Sequence, residues 1–251
     1  QYETLADEFV QECGLYTEVL FSRNRMTASI TGEENLPIIE KMTACMSDLD
    51  GMRARVHYPY LTEKKEYLSI PGGVSYCVMA NNSLSMERKP DTRMNVISHL
   101  LTYDWLWSEV RVKGGAYGTG MSCSGTGMMQ AYSYRDPDVL NSMRAFKGCG
   151  EYLKQLVEEG TDLTQMIIGT IAEAEPLLSP NAAIRVADVW KFRQVDDETR
   201  CANRKKLLSM KTEDLLEFAD LFTDGFADAC ICVVGSEETG KLLEGFTKIN
   251  Q

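Results

Sequence analysis

The stretch Arg111-Val-Lys-Gly-Gly-Ala-Tyr117-Gly118 constrains the fold of this 251-residue chain more than any other. It joins two different hydrophobic periods. Before it, Val96, Leu100, Tyr103, Trp107 and Val110 recur at steps of four and three, the mark of one helical face. After it, Tyr117-Gly-Thr-Gly-Met-Ser-Cys123 reads as a strand. Two adjacent glycines leave the backbone between them free to bend sharply. The segment is therefore a helix-to-strand corner that carries a cation at one end and a phenol at the other, an arrangement suited to gripping another peptide.

The elements around this corner give a coarse map. Residues 1–22, with Leu5, Phe9, Cys13 and Tyr16 at steps of four and three, predict an opening amphipathic helix. Arg25–Thr31 reads as a strand, and a helix is expected from Asn35 to about Leu49 with Pro37 in its first turn. Residues 50–65 read as a charged connection. A strand is expected around Val74–Ala80, after the Pro71-Gly-Gly73 turn. Asp91 or Thr92 is expected to cap the helix that ends at the corner. Strands at about 116–123 and 128–135, linked by Ser124-Gly-Thr-Gly127, read as a hairpin. Asp136-Pro137-Asp138 then predicts a cap, a first-turn proline and a first-turn acid for a long helix with Val139, Met143, Phe146, Leu153 and Val157 on its buried face. Helical pieces broken at Pro176 and Pro180 come next, then a strand at 229–234 and a helix from about Ser236. Hairpin-linked strands flanked by blocks of helix predict an α+β fold, a mainly antiparallel sheet with helices packed on one face.

The string Arg111–Gly118, joined at compatible spacing by Ser133-Tyr-Arg-Asp-Pro-Asp138, resembles the pitrilysin/insulinase-type zinc metallopeptidases, the inverzincins, in their presequence-protease subgroup. The resemblance implies a metallopeptidase-type α/β domain. It also implies that Arg111 and Tyr117 reach into a closed chamber to hydrogen-bond a peptide near the scissile bond. A tyrosine hydroxyl can donate to an oxygen that gains charge in the transition state, and an arginine offers several fixed donors. Gly114 and Gly115 serve the geometry of the corner and let a substrate backbone come close, and Lys113 points to the same region but reads more readily as a solvated charge. Arg135 reads as structural or interfacial.

That family binds zinc through an inverted His-x-x-Glu-His helix. This chain has two histidines, His57 and His99, and neither begins that motif. A catalytic zinc needs about three converging protein ligands. The expectation is therefore a non-zinc-binding C-terminal domain over residues 23–251, with 1–22 carried over from the preceding part of a longer parent. The resemblance implies that zinc is bound in the parent enzyme outside this chain, and the expected partners are the N-terminal zinc-bearing half and an unfolded peptide. The chain alone is expected to be inactive. A scaffolding domain of the same superfamily is the alternative.

The formal net charge of -11 opposes nucleic-acid binding, which needs a basic footprint, and favours cationic peptides. The eight cysteines are widely spread in a chain large enough not to need staples and read as reduced thiols. Cys230 and Cys232 fall on one strand face and read as small buried side chains. No stretch approaches the roughly 18 apolar residues of a membrane helix. These features suit a bacterial cytoplasm or an organelle matrix, the former preferred. A rival site, Gly235-Ser-Glu-Glu-Thr-Gly-Lys241-Leu242, has the outline of a phosphate-binding loop. It carries leucine where magnesium needs a hydroxyl, and two glutamates where phosphates would sit.

Overall fold

The computed structural model describes residues 2–44, 46, 48 and 64–249. These divide into two units, one from residues within 1–60 and 177–196 and the other from residues within 61–176 and 197–251. Among its described residues the first unit contains three α-helices, α1 (Tyr2–Leu20), α2 (Leu36–Thr43) and α7 (Pro180–Phe192). The expected opening helix is present, but Leu5, Phe9 and Tyr16 are exposed on it. Residues 26–30 join no sheet among the described residues, so the expected strand at 25–31 is not formed. Pro37 sits in the first turn of α2, and Ser179 caps α7 by accepting from the Ala182 N–H ahead of Pro180. The far end of the expected second helix and the connection at 51–63 lie outside the described residues.

The second unit is a six-stranded sheet with helices on one face. Its strands are β1 (Lys65–Ser69), β2 (Ser75–Asn82), β3 (Gly118–Cys123), β4 (Met128–Asp136), β5 (Cys230–Gly235) and β6 (Thr247–Ile249), in the order β3-β4-β2-β5-β1-β6. The β3-β4, β4-β2 and β2-β5 pairs are antiparallel, whereas β1 lies parallel to both β5 and β6. The sheet is therefore mixed, antiparallel only in its first four strands, because the chain enters β1 and β6 from the same end as β5. Neither β1 nor β6 carries the alternation that marked the other four.

Alternation along the strands sets the two faces. Cys77, Met79, Met129, Ala131, Ile231 and Val233 point into the core. Helices α4 (Val139–Lys147) and α9 (Leu215–Ala227) lie across β2, with α5 (Cys149–Glu159) packed on α9. Phe146, Leu153, Leu215, Phe222 and Phe226 are fully buried there, each contributing about 1.5–3 kcal/mol. The long helix expected from 139 is interrupted at Gly148. Its cap also differs: Asp138 accepts from the Asn141 N–H, while Asp136 is buried and accepts from Ser142 Oγ at 2.6 Å. Helices α6 (Thr164–Ala174), α8 (Asp197–Leu208) and the five-residue α10 (Glu237–Lys241) complete the unit.

The opposite face of the sheet carries Tyr76, Val78, Tyr132, Tyr134, Cys230 and Cys232, and these are exposed or half-buried. Cys230 and Cys232 do share one face, but it is this open face and not the core. No helix of the described residues is long and apolar enough to cross a membrane.

Candidate functional site

The corner is entered by α3 (Met94–Leu100) and a π-helical continuation, Leu101–Lys113. Asp91 caps the turn that opens α3, whereas Arg93, directly before the helix, makes no side-chain cap. Asp91 accepts from the Arg93 N–H (2.9 Å) and guanidinium. Beyond Leu100 the wider turn shifts the buried face. Leu101, Leu106 and Val110 are fully buried at steps of five and four, while Tyr103 and Trp107 are 54% and 39% exposed. Thr102, at the change of helix, binds the edge of the sheet: its hydroxyl accepts from the Met121 N–H at 2.9 Å and donates to the Ser98 carbonyl at 2.7 Å. Trp105 donates to the Ala145 carbonyl and stacks on Tyr152.

The helix closes with the Gly115 N–H donating to the Arg111 carbonyl (3.0 Å) and the Ala116 N–H to that of Val110 (3.1 Å). Gly115 has φ +80, which favours glycine, and a Cβ on Gly114 would meet the Val110 carbonyl at 2.6 Å. Both glycines thus have a reason within the fold. Lys113 pairs with Glu109 one turn back on the helix.

Tyr117 begins the sheet, its N–H shared between the Tyr134 and Arg135 carbonyls at 3.1 and 3.3 Å. Here β4 bulges. Ser75 pairs with Asp136 but Cys77 with Ser133, so Tyr134 and Arg135 together oppose Tyr76. Arg135 takes a left-handed φ of +49. A bulge adds one residue to one strand and re-aims the side chains beyond it, so both Tyr134 and Arg135 are exposed while Ser133 and Asp136 stay buried.

The result is a ladder of rings and cations. The Arg111 guanidinium lies 4.2 Å from the Trp107 ring centre and 5.7 Å from that of Tyr117. That of Arg135 lies 6.0 Å from Tyr117 and 5.8 Å from Tyr134. Tyr134 in turn packs edge-on against Tyr76 at 5.2 Å. Tyr117 is 65% exposed. Among the described residues neither guanidinium pairs with a carboxylate, and the Tyr117 hydroxyl has no hydrogen-bond partner. Stacking on the rings fixes the two cations and leaves their N–H donors free. The arrangement can bind carbonyl or carboxylate oxygens, and its members among the described residues include no carboxylate, imidazole or thiol. Arg135 is the member that its sequence position concealed, since simple alternation from Ser133 would place it away from Tyr134.

No group of three or more His, Cys, Asp or Glu able to hold a metal occurs among the described residues. His99 lies against Tyr103 and Glu173, and His57 is outside the described residues. The donors for a zinc ion of the family's kind are not assembled among the described residues. In the Gly235–Lys241 segment Lys241 pairs with Glu238, Glu237 with Lys248, and Tyr67 packs against Gly240.

The sheet and its one-sided helices are similar in fold to solved M16 peptidase domains. The peptidase M16 inactive domain from Pseudomonas fluorescens superposes with a TM-score of 0.56 at 13% identity, covering 88% of this chain and 53% of that one. An M16-like peptidase from Alicyclobacillus acidocaldarius gives 0.55 at 14%, covering 82% and 52%. Residues 65–237 match the family described as the PreP C-terminal domain, and the chain belongs to it. Presequence protease 1, chloroplastic/mitochondrial, of Arabidopsis thaliana is 31% identical over 214 residues, 80% of this chain and 19% of the relative. The mitochondrial presequence protease of Saccharomyces cerevisiae is 31% identical over 169 residues, 66% and 17%, and Protein HypA of Clostridium perfringens 26% over 225 residues, 88% and 23%. The chain spans about a fifth of the length of these relatives.

Proposed function

We propose that this chain is the C-terminal, non-zinc-binding domain of a zinc metalloendopeptidase that degrades unfolded peptides, and that the Arg111–Tyr117–Arg135 ladder grips the substrate. The observation that carries the reading is the pair of stacked guanidiniums, free of carboxylate partners among the described residues, on either side of the exposed Tyr117 ring. Oriented donors without a base or nucleophile suit a surface that binds and polarises a peptide whose cleavage is performed elsewhere. The names of the presequence-protease relatives support the substrate class.

In this reading the domain completes a chamber with an N-terminal half that supplies zinc, and residues 1–22 belong to the preceding part of the parent. Lys113, held by Glu109, contributes charge at the rim, and Gly114 and Gly115 keep the corner low enough for a peptide backbone. A bacterial cytoplasm is the proposed compartment, with an organelle matrix as the alternative. A purely scaffolding role would give no reason for two cations to be stacked at an exposed hydroxyl. Hydrolysis of a fluorogenic peptide by the full-length protein tests the proposal. Loss of turnover in Tyr117→Phe at unchanged thermal stability is expected, and full activity in both Tyr117→Phe and Arg111→Ala would overturn it.

A further inference from the structure

Beside the ladder a cavity of about 420 Å3 opens where α3 and its π-helical continuation meet the edge strand β3 and helix α6. Tyr132 forms part of its wall, and Tyr132 stands two residues from Tyr134 on the same open face of β4. Residues two apart in a strand are separated by about 6–7 Å. The cavity is thus one side-chain repeat from the ladder.

Tyr132 reaches the cavity because its cross-strand partner is Gly120. A Cβ at residue 120 would meet the Tyr132 hydroxyl at 2.8 Å and its ring at 2.9 Å. With no side chain there, the ring lies across the edge strand toward the helix. Tyr103 stands opposite, exposed because the wider helical turn rotates it out of the core, and its ring lies 4.6 Å from that of His99. Two tyrosines and a histidine therefore supply aromatic surface.

The charge of the cavity is one-sided. Among the described residues that line it, Glu173 on α6 is the one carboxylate and none is Lys or Arg. The Glu173 side chain is 63% exposed and lies 3.5 Å from His99 Nδ1, a buried nitrogen with no hydrogen-bond partner among the described residues. That contact fails as a hydrogen bond, so both carboxylate oxygens are left to accept from a ligand. Gly169 packs over the other nitrogen, Nε2, which keeps the imidazole against α6.

We infer that this cavity binds a cationic side chain, arginine or lysine, of an extended peptide. A carboxylate at the mouth and ring faces along the walls attract an organic cation by charge and by the ring quadrupole. The same carboxylate repels phosphates and acidic side chains. The formal net charge of -11 further concentrates cations at the surface. That the cation belongs to a peptide held at Tyr117 and Tyr134 rests on the function proposed above. The capacity of the cavity for a cation stands on its own walls.

Two titrations separate the cavity from the peptide subsite. The chain is titrated with N-acetyl-arginine amide and with the neutral isostere N-acetyl-citrulline amide while the His99 ring signals are followed by NMR, His57→Gln identifying which of the two histidines is seen. A saturable His99 shift with the arginine ligand and none with citrulline is expected, with about two- to fivefold weaker binding in Glu173→Gln. Absence of a saturable shift, or equal shifts from both ligands, overturns the cavity inference, and so does unchanged arginine binding in a folded Glu173→Gln variant. In the full-length protein, peptides that differ only by arginine or citrulline are then compared. Selectivity for arginine that falls in Glu173→Gln supports the peptide subsite, and equal turnover of the two peptides overturns it. If Arg111→Ala and Tyr117→Phe leave turnover of both peptides unchanged, the ladder reading fails whatever the cavity binds.

Discussion

The guanidinium of Arg135 stands 6.0 Å from the centre of the Tyr117 ring, although strand alternation would have sent it away from that face. One left-handed residue makes the contact. At φ +49 the Arg135 backbone inserts an extra position into β4 opposite Tyr76, and the Tyr117 N–H closes the bulge by bonding both the Tyr134 and Arg135 carbonyls. Backbone strain at one residue is thereby converted into a side-chain position in the candidate site.

Strain and site can be separated by two substitutions at Arg135. Arg135→Gly removes the guanidinium and the penalty for a positive φ together, whereas Arg135→Ala removes only the guanidinium. The glycine variant is expected to be more stable than the alanine variant by about 1 kcal/mol. Both are expected to lose peptide affinity equally. Thermal unfolding and peptide binding measured on the same samples check this, and an alanine variant as stable as the glycine one would mean that the bulge carries no strain.

Tyr117→Phe and Arg111→Ala in the full-length protein are each expected to lower turnover by about ten- to a thousandfold, the range for loss of one preorganised donor. Tyr117→Phe keeps the ring that stacks between Arg111 and Arg135, so its effect reports on the hydroxyl. Arg111→Ala also frees Trp107 and is expected to raise KM if the guanidinium binds ground state and transition state alike. Steady-state kinetics with unfolding controls separate the two effects.

Much of the architecture was legible because the strands β2 to β5 alternate and the hairpin carries its own turn residues. The corner at 111–118 was legible for the same reason, since a change of period at a glycine pair has few structural meanings. Tyr103 and Trp107 misled. They fit a period of 3.6, but the chain changes to a wider turn after Leu100, and no residue type announces that change. Arg135 was hidden by a bulge, which breaks the period of two that strand reading depends on. The short strands β1 and β6 lie at the far side of the sheet and too few of their positions are buried to leave a pattern. Cys230 and Cys232 lie in a short apolar run of the kind that usually marks core, whereas here one face of the central strand is left open.

The exposure of that face predicts a thiol reactivity order. Burial pushes the Cys77 and Cys123 thiols up to about 12 and raises that of Cys149 as well, so none of these forms appreciable thiolate near neutrality. Cys13, Cys201, Cys230 and Cys232 are exposed free thiols. Cys232 is raised by partial burial and by Glu66, so it should react more slowly than Cys230. Iodoacetamide at about pH 8 with peptide mapping is expected to label Cys13, Cys201 and Cys230 first and to spare Cys77 and Cys149 until denaturant is added. Early labelling of Cys77 would mean that the sheet opens locally.

Asp91 supplies the last prediction, a dependence of stability on acid. It accepts from the backbone and guanidinium of Arg93 and from Lys206 on α8, and Arg93 continues to Glu217 on α9 at 2.8 Å while lying over the Phe218 ring. Burial alone would raise the Asp91 carboxyl, but the hydrogen bonds from Arg93 and Lys206 outweigh it and hold the group at about 2, below its ordinary 3.8. A carboxyl depressed in the folded state stabilises the fold above its unfolded value, and this contribution is lost as pH falls through the folded one. The wild-type chain should therefore exceed Asp91→Asn by about 1 kcal/mol near pH 6, a figure reduced for solvent screening, and the gap should close between about pH 4 and pH 2. Urea unfolding of both proteins across that range provides the measurement. A gap that persists unchanged at about pH 2 would mean that Asp91 stabilises the turn before α3 by hydrogen bonding alone, without its charge.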